Sequence, residues 1–247
     1  MRYTIFLDGK YIFVTPRVLR SLTPGVFKAK GVFETMLALD GVILDADLHL
    51  RRLCRGLKVL GVPRPSIDPS LFKKILVQNH LLCARVRIMV WQEGSEAHVM
   101  ASAQPYKISN KKKYHVCLVK TDRLASARFS DVKSLDYSMF AAAYAYAKTH
   151  GYDEALLLNR HDHIVEASRA NIFWIKNSIL YTPPLTSGCL NGITRRQVIR
   201  MVRRLKIPLK EKNLTLEMLN KADAAFLTSS LIGIKPINVA LYERIDK

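Results

Sequence analysis

Residues 166–195 carry the clearest structural signal in this sequence. They read E-A-S-R-A-N-I-F-W from Glu166 to Trp174 and, after a short break, Y-T-P-P-L-T-S-G-C-L-N-G-I-T-R from Tyr181 to Arg195. An acidic residue precedes a small polar turn and an apolar strand, and Gly192 opens a helix after a Pro-Pro loop. Free backbone N–H groups and the helix dipole favour an anion at such a helix start. We therefore predict a strand–loop–helix unit with a carboxylate at one end and a phosphate site at the other.

The two ends of this unit suit one aromatic ligand. Glu166 can keep a pyridine nitrogen protonated, and the helix start about 25 residues later can hold a phosphate. Pyridoxal phosphate (PLP) carries both groups. The run resembles the fold-type IV PLP enzymes, a family that includes branched-chain aminotransferases, D-amino-acid transaminases and aminodeoxychorismate lyases. The resemblance extends from about residue 3 to residue 240 and is strongest between residues 151 and 196.

A PLP enzyme also needs a lysine that binds the cofactor covalently. Lys133, in the segment D-V-K-S-L-D-Y, resembles the lysine of the family's Lys-Ser-Leu-Asn segment and precedes Glu166 by 33 residues. The resemblance implies that Lys133 and Glu166 are catalytic and that Tyr137 bonds the cofactor's ring hydroxyl; the alternative for Tyr137 is a core tyrosine. The family usually has Asn where this chain has Asp136. A carboxylate cannot donate hydrogen bonds, and it favours the charged form of a nearby lysine.

The resemblance further implies a phosphate cup made of three parts. A helix start and a hydroxyl loop supply five residues: Gly192, Ile193, Thr194, Thr228 and Ser229. The third part is Arg52, in an H-L-R-R-L segment that resembles the family's H-x-x-R-L motif. Its guanidinium would form a charge-assisted pair with the phosphate. The alternative for Arg52 is a solvated helix face.

The substrate side of the site is expected near the segment G-V-F-E-T, which ends at Thr35. Family members commonly carry an aromatic residue, Gly-Asp and then Gly before Val-Phe-Glu, whereas Lys28, Ala29 and Lys30 precede Gly31 here. We therefore expect substrate recognition to differ from the family's or activity to be weaker. Thr35 and Arg87 are the candidate substrate contacts, although the sequence leaves open which face of its strand Arg87 occupies.

The composition indicates a folded, strongly basic protein with a small-molecule partner. The 247 residues carry a formal net charge of +19, which favours either nucleic-acid binding or attraction of an anionic, amino-acid-like substrate. No zinc-finger spacing or RNA-binding aromatic signature accompanies the charge, so we expect no nucleic-acid partner. No metal site is expected from the histidine spacing, and no apolar run is long enough to span a membrane. Four widely separated cysteines favour a reduced, cytoplasmic protein.

The order of predicted elements gives an α+β fold in two domains. Residues 1–107 form a smaller N-terminal α/β domain, residues 108–113 a polar linker, and residues 114–247 a larger PLP-binding domain. The resemblance implies the fold-type IV architecture of D-amino-acid aminotransferases and a homodimer with its site where the domains meet. Predicted hairpin turns lie at Asp8-Gly9 and Asp40-Gly41.

The predicted activity is that of an aminodeoxychorismate lyase, which releases pyruvate from 4-amino-4-deoxychorismate and yields 4-aminobenzoate for folate synthesis. The short chain and the G-V-F-E-T-M segment favour this activity over the branched-chain enzymes, which are usually longer. Gln92-Glu93-Gly94 follows the strand of Arg87 where D-amino-acid transaminases carry an arginine and a histidine. A class IV aminotransferase acting on branched-chain or D-amino acids, a degenerate non-catalytic relative, and a nucleic-acid-binding protein suggested by charge alone are the alternatives.

Overall fold

A computed structural model describes residues 3–15, 17, 29–121 and 129–238 of the chain. The chain divides into two compact units, Met1–Ile108 with Asp131–Tyr137 and Ser109–Ser130 with Ser138–Lys247. Strands and segregated helices make up both units, which confirms the α+β class. Lys28, the first of the three residues that depart from the family pattern before Gly31, lies outside the described residues.

Among the residues that the structure describes, the first unit contains a six-stranded sheet and two helices of nine or more residues. Its strands are β1 (Tyr3–Leu7), β2 (Lys10–Val14), β3 (Gly31–Leu39), β4 (Val42–Ile43), β5 (Ala84–Glu93) and β6 (Glu96–Pro105), in the order β2-β1-β6-β5-β3-β4. Its helices are α1 (Ala46–Leu60) and α2 (Ser70–Gln78). Every strand pair is antiparallel. The turns at Asp8-Gly9 and Asp40-Gly41 have positive φ at both residues, as the type I′ turn of a two-residue β-hairpin requires.

The two faces of this sheet bury different side chains. Alternate residues of a strand point to opposite faces. Val86, Ile88 and Val90 of β5 pack in the core under the two helices, whereas Met89 packs on the other face with Phe33. Arg87 therefore lies on the face that the helices leave uncovered.

The Lys133 segment extends the first unit's sheet along the free edge of β3. Phe33 N donates to Lys133 O at 2.9 Å, and Leu135 N donates to Gly31 O at 3.0 Å. Residues 114–247 were predicted to form one C-terminal domain, but residues 131–137 group with the first unit because of this backbone pairing. Leu135, fully buried, joins the apolar cluster around Phe33.

Two smaller sheets form the second unit. The three-stranded sheet runs β7-β8-β9 and comprises β7 (Val116–Lys120), β8 (Glu154–Leu158) and β9 (Ile164–Ala167). The five-stranded sheet runs β12-β11-β10-β13-β14 and comprises β10 (Asn171–Lys176), β11 (Ile179–Thr182), β12 (Leu209–Glu211), β13 (Ala224–Ser229) and β14 (Gly233–Pro236). The helices are α3 (Ser138–Thr149), α4 (Ile193–Arg204) and α5 (Leu216–Asn220). Val198, Ile199 and Val202 of α4 pack against the five-stranded sheet through Phe173.

The sequence predicts a second helix from about Pro69 to Leu82 and capping of the first helix by Asp45 or Asp47, and the structure differs in both respects. The second helix ends at Gln78 rather than Leu82, because the chain turns through His80 with φ of 55°. Asp45 occupies the N-cap position of α1, but with φ of 56° its side chain makes no capping hydrogen bond. The parallel pairing of β12 with β11 was not predicted, since a three-residue strand carries no periodic signal.

Among the residues that the structure describes, every helix falls short of the length and apolarity of a membrane span.

Candidate active site

Lys133 lies on an aromatic surface of the first unit. Its Nζ is 4.6 Å from the centroid of the Phe33 ring and 5.2 Å from that of Tyr137. The two rings meet edge to face at 5.2 Å. Cation–π attraction of this kind favours a defined position for the amine. Asp136, the departure from the family pattern, is exposed, and its backbone N–H donates to Ser134 Oγ.

Arg87 lies on the same face of the sheet as Lys133. Its guanidinium carbon is 5.1 Å from the centroid of the same Phe33 ring. Thr35 is its register partner on β3, so both predicted substrate residues stand side by side. Burial lowers the pKa of Arg87 to about 10, with a smaller contribution from the positive charge of Arg85. Arg87 therefore stays charged at neutral pH and adds positive charge to the surface around Lys133.

Arg52 is buried on the opposite, helix-covered side of the sheet rather than solvated. Its Nε and Nη2 each donate at 2.7 Å to one oxygen of Glu34. His49 Nδ1 lies 2.7 Å from Glu34 Oε2. The exposed fraction is 0% for Glu34 and 4% for Arg52, so this is an ion pair held out of water.

The buried cluster keeps Glu34 ionised. Burial by itself raises the pKa of Glu34, but the charge of Arg52 and the hydrogen bonds from Arg52 and His49 outweigh it and lower the pKa to about 2. Arg52 was predicted from the sequence as a site residue, whereas Glu34 and His49 were not. A signal was present, because Glu34 is the sole charged residue in the otherwise apolar run of β3, and a buried carboxylate needs a partner.

Glu166 lies in the second unit, near the end of β9. It is 5% exposed, and its Oε2 accepts a hydrogen bond from Leu190 N at 3.0 Å. The nearby Cys189 has its pKa raised to about 12, first by burial and then by the negative charge of Glu166. The thiol is therefore neutral, which agrees with a structural role.

The residues of the expected phosphate cup surround the start of α4. Gly192 is the N-cap and Ile193 the first helical residue, followed by Thr194. Thr228 and Ser229 are the last two residues of β13, and the register partner of Thr228 is Asn171 of β10. Thr228 Oγ1 is buried and lacks a hydrogen-bond partner among the described residues. Buried hydroxyls are normally satisfied, so this atom fits a site that receives a polar ligand.

The predicted site residues thus form three groups. The first unit brings Lys133, Tyr137, Thr35 and Arg87 together on one sheet face, and it places Arg52 on the other face with Glu34. The second unit contains Glu166 and the five residues of the cup: Gly192, Ile193, Thr194, Thr228 and Ser229.

Replacing Gly192 by alanine is expected to destabilise the second unit by about 1–3 kcal/mol. Gly192 has φ of −61°, which any residue can adopt. A Cβ at this position, however, would overlap Asn171 Oδ1. Urea unfolding measures the effect. The control is Gly56→Ala inside α1, where the nearest atom would be 3.1 Å away and the gain in helix propensity offsets the contact. Equal stabilities of the Gly192 variant and the parent would contradict the close approach.

Comparisons with known proteins show the family to which this chain belongs. A model of the amino-transferase class IV family matches residues 31–239. The chain is 28% identical over 250 residues to a probable branched-chain-amino-acid aminotransferase of Rickettsia bellii, covering 95% of this chain and 86% of that protein. It is 27% identical over 249 residues to an aminodeoxychorismate lyase of Bacillus subtilis, covering 94% and 85%. A solved branched-chain aminotransferase of Thermoproteus uzoniensis, crystallised with norvaline, is 28% identical with a TM-score of 0.81, covering 100% of this chain and 91% of that one.

Proposed function

Because the chain belongs to the class IV aminotransferase family, whose members are PLP-dependent enzymes, we propose that it is an aminodeoxychorismate lyase. The reaction would convert 4-amino-4-deoxychorismate to pyruvate and 4-aminobenzoate, in folate biosynthesis. The similar lyase of Bacillus subtilis supports this activity. The second candidate is an aminotransferase for branched-chain amino acids, which the Rickettsia bellii and Thermoproteus uzoniensis relatives favour.

The observation that carries the lyase proposal is a pair of arginines on the Lys133 side of the sheet. Arg85 and Arg87 are two residues apart on β5, so their side chains leave the same face. Each guanidinium can bind one carboxylate through a bidentate pair of charge-assisted hydrogen bonds. The substrate 4-amino-4-deoxychorismate has two carboxylates, whereas a branched-chain amino acid has one carboxylate and an apolar side chain.

The residues of this chain fit PLP. We propose that Lys133 attaches it covalently, that Tyr137 contacts its ring hydroxyl, and that Glu166 holds its ring nitrogen protonated. The phosphate would be held by the cup around α4, which consists of Gly192, Ile193, Thr194, Thr228 and Ser229, whereas Arg52 is engaged by Glu34 on the opposite face of the first unit's sheet. The buried, unpartnered Thr228 Oγ1 among the described residues supports this assignment, since a phosphate oxygen would satisfy it. When bound, PLP supplies an electron-accepting ring conjugated to the substrate amine.

The chain's own groups would perform two tasks. Arg87 and Arg85 bind the substrate carboxylates, with Thr35 beside Arg87, and so orient the substrate. Lys133 would accept the proton from the carbon that bears the substrate amine. The electron pair left on that carbon would form the third double bond of the substrate ring, and the ether C–O bond at the neighbouring carbon would break with its electrons going to the oxygen of enolpyruvate. The leaving enolpyruvate takes up a proton and becomes pyruvate.

The proposal is tested by incubating the PLP-loaded protein with 4-amino-4-deoxychorismate and measuring pyruvate and 4-aminobenzoate. Transfer of an amino group from L-leucine or D-alanine to 2-oxoglutarate is measured in parallel. Equal amounts of pyruvate and 4-aminobenzoate are expected. Amino transfer without pyruvate release would favour the aminotransferase instead. Failure to bind PLP would leave the degenerate, non-catalytic relative.

Arg87→Met is expected to raise KM for 4-amino-4-deoxychorismate roughly 10- to 100-fold, the usual loss for a hydrogen bond to a charged group. Steady-state pyruvate release measures it. The affinity for PLP should not change, because Arg87 is assigned to the substrate. Arg51→Met is the matched control, since Arg51 is 71% exposed and pairs only weakly with Asp47 at 3.3 Å. An unchanged KM in the Arg87 variant would remove this residue from the substrate site.

We also propose a homodimer in the cytoplasm. The dimer follows from the family. The four cysteines are all unpaired in the structure, as is usual in a reducing compartment. The net charge of +19 would assist the approach of an anionic substrate. Gel filtration with light scattering tests the dimer.

A further inference from the structure

Asn171 lies between Glu166 and the phosphate cup at the start of α4. It is the first residue of β10 and is 5% exposed. Glu166 precedes it on β9, and its register partner on β13 is Thr228. The function described above gives this asparagine no role.

The amide of Asn171 contacts both sides of this region at once. Its Nδ2 donates to Leu190 O at 2.7 Å and lies 3.4 Å from Glu166 Oε2. Its Oδ1 lies so close to Gly192 that a Cβ there would overlap it. The side chain therefore stands between the Glu166 carboxylate and the N-cap of α4.

Leu190 completes the connection through its backbone. Its N–H donates to Glu166 Oε2 at 3.0 Å, while its C=O accepts from Asn171 Nδ2 and from Gly192 N at 2.9 Å. The loop that enters α4 is thus fixed to the carboxylate at one point and to the amide at another. Any shift of the helix start relative to Glu166 would break one of these bonds.

This connection matters because PLP is rigid. Its ring nitrogen and its phosphate are attached to one planar ring, so the groups that bind them must be held at a fixed separation. Two weak sites at the right spacing bind a ligand that joins them far more tightly than either site alone. A loose separation removes that advantage without removing either site.

We propose that Asn171 is a positioning residue that sets the separation between Glu166 and the first turn of α4, so that both ends of PLP bind together. The inference rests on the proposed assignment of Glu166 and α4 to PLP. It concerns cofactor affinity rather than the chemical step.

The test compares three ligands on the apoprotein of the parent and of Asn171→Ala. PLP binding is followed by absorbance, pyridoxal (the ring without phosphate) likewise, and inorganic phosphate by calorimetry. We expect PLP affinity to fall roughly 10- to 100-fold, while the affinities for pyridoxal and for phosphate each change less than about threefold. Asn159→Ala is the matched control, because Asn159 Oδ1 bonds two backbone N–H groups in the β8–β9 turn. It should leave all three affinities unchanged.

The outcomes separate this inference from the proposed function. A parent that fails to bind PLP refutes the function itself. A parent that binds PLP and a variant that binds it equally well refute only the role of Asn171. The role of Asn171 is also refuted if the affinities for PLP and for either pyridoxal or phosphate fall by the same factor. Asn171 would then support binding at one end of PLP alone. Asn171→Asp, which keeps the shape and loses the donor, gives the same comparison if the alanine variant does not fold.

Discussion

Lys133→Ala is expected to abolish covalent attachment of PLP and to lower the rate of pyruvate release by at least about 100- to 10,000-fold. The factor is the usual contribution of a positioned general acid–base group. Lys133 Nζ lies against two aromatic rings in the first unit, and no other residue has been assigned this role. The visible absorbance of the PLP-loaded protein reports the attachment. Borohydride reduction followed by peptide mass spectrometry identifies the attached residue.

Lys112→Ala is the control for this experiment, since Lys112 is an exposed lysine of the predicted linker. The control should retain the absorbance band and the full rate. A Lys133 variant that keeps the band would show that another lysine attaches the cofactor. The assignment of Lys133 would then be wrong even if the protein were active.

Glu34→Gln is expected to destabilise the protein by roughly 3–5 kcal/mol, the usual cost of breaking a buried ion pair. The substitution preserves shape and removes the charge that compensates Arg52, which is 4% exposed. Urea denaturation measures the loss. The matched control is Asp47→Asn, which breaks the exposed ion pair between Asp47 and Arg51 on α1, the helix that also carries Arg52. This substitution should lower the free energy of unfolding by less than about 1 kcal/mol. A loss below 1 kcal/mol for Glu34→Gln as well would mean that the buried charges do not interact as described.

The same carboxylate gives a pH dependence with a definite sign. The pKa of Glu34 is about 2 in the folded protein against an ordinary value of 4.5. A lowered pKa stabilises the folded state above the ordinary value, and this contribution is lost as the pH falls towards the folded value. We expect about 3 kcal/mol of stability to disappear between pH 5 and pH 2. The loss should be absent in Glu34→Gln, which urea midpoints across this range would show.

Features with a short-range cause could be predicted from the sequence. The hairpins at Asp8-Gly9 and Asp40-Gly41 follow from turn chemistry, and α1 follows from its apolar spacing. The membership of the PLP enzymes, predicted from the run that starts at Glu166, is confirmed by the family match. In each case the evidence lies within a few tens of residues.

Features that depend on distant pairing could not be predicted. The sequence did not show which face of β5 carries Arg87, because both faces of this strand include apolar residues. The register of β5 with β3 places Arg87 beside Thr35. The partner of Arg52 is 18 residues away on another element, so Glu34 and His49 were read only as parts of separate motifs. The position of residues 131–137 beside β3 depends on a pairing across about 100 residues, which no local pattern indicates.

The return of residues 131–137 to the first unit has a consequence for dividing the polypeptide. The chain passes from the first unit to the second, back to the first, and again to the second. A single cut in the linker at 108–113 would therefore not release two autonomous folding modules. A fragment ending at residue 107 would expose the edge of β3 at Val32 and Phe33, an apolar edge of the kind that promotes aggregation. The complementary fragment would carry the lysine segment without its neighbouring strand, so the two fragments should become soluble only when they are co-expressed.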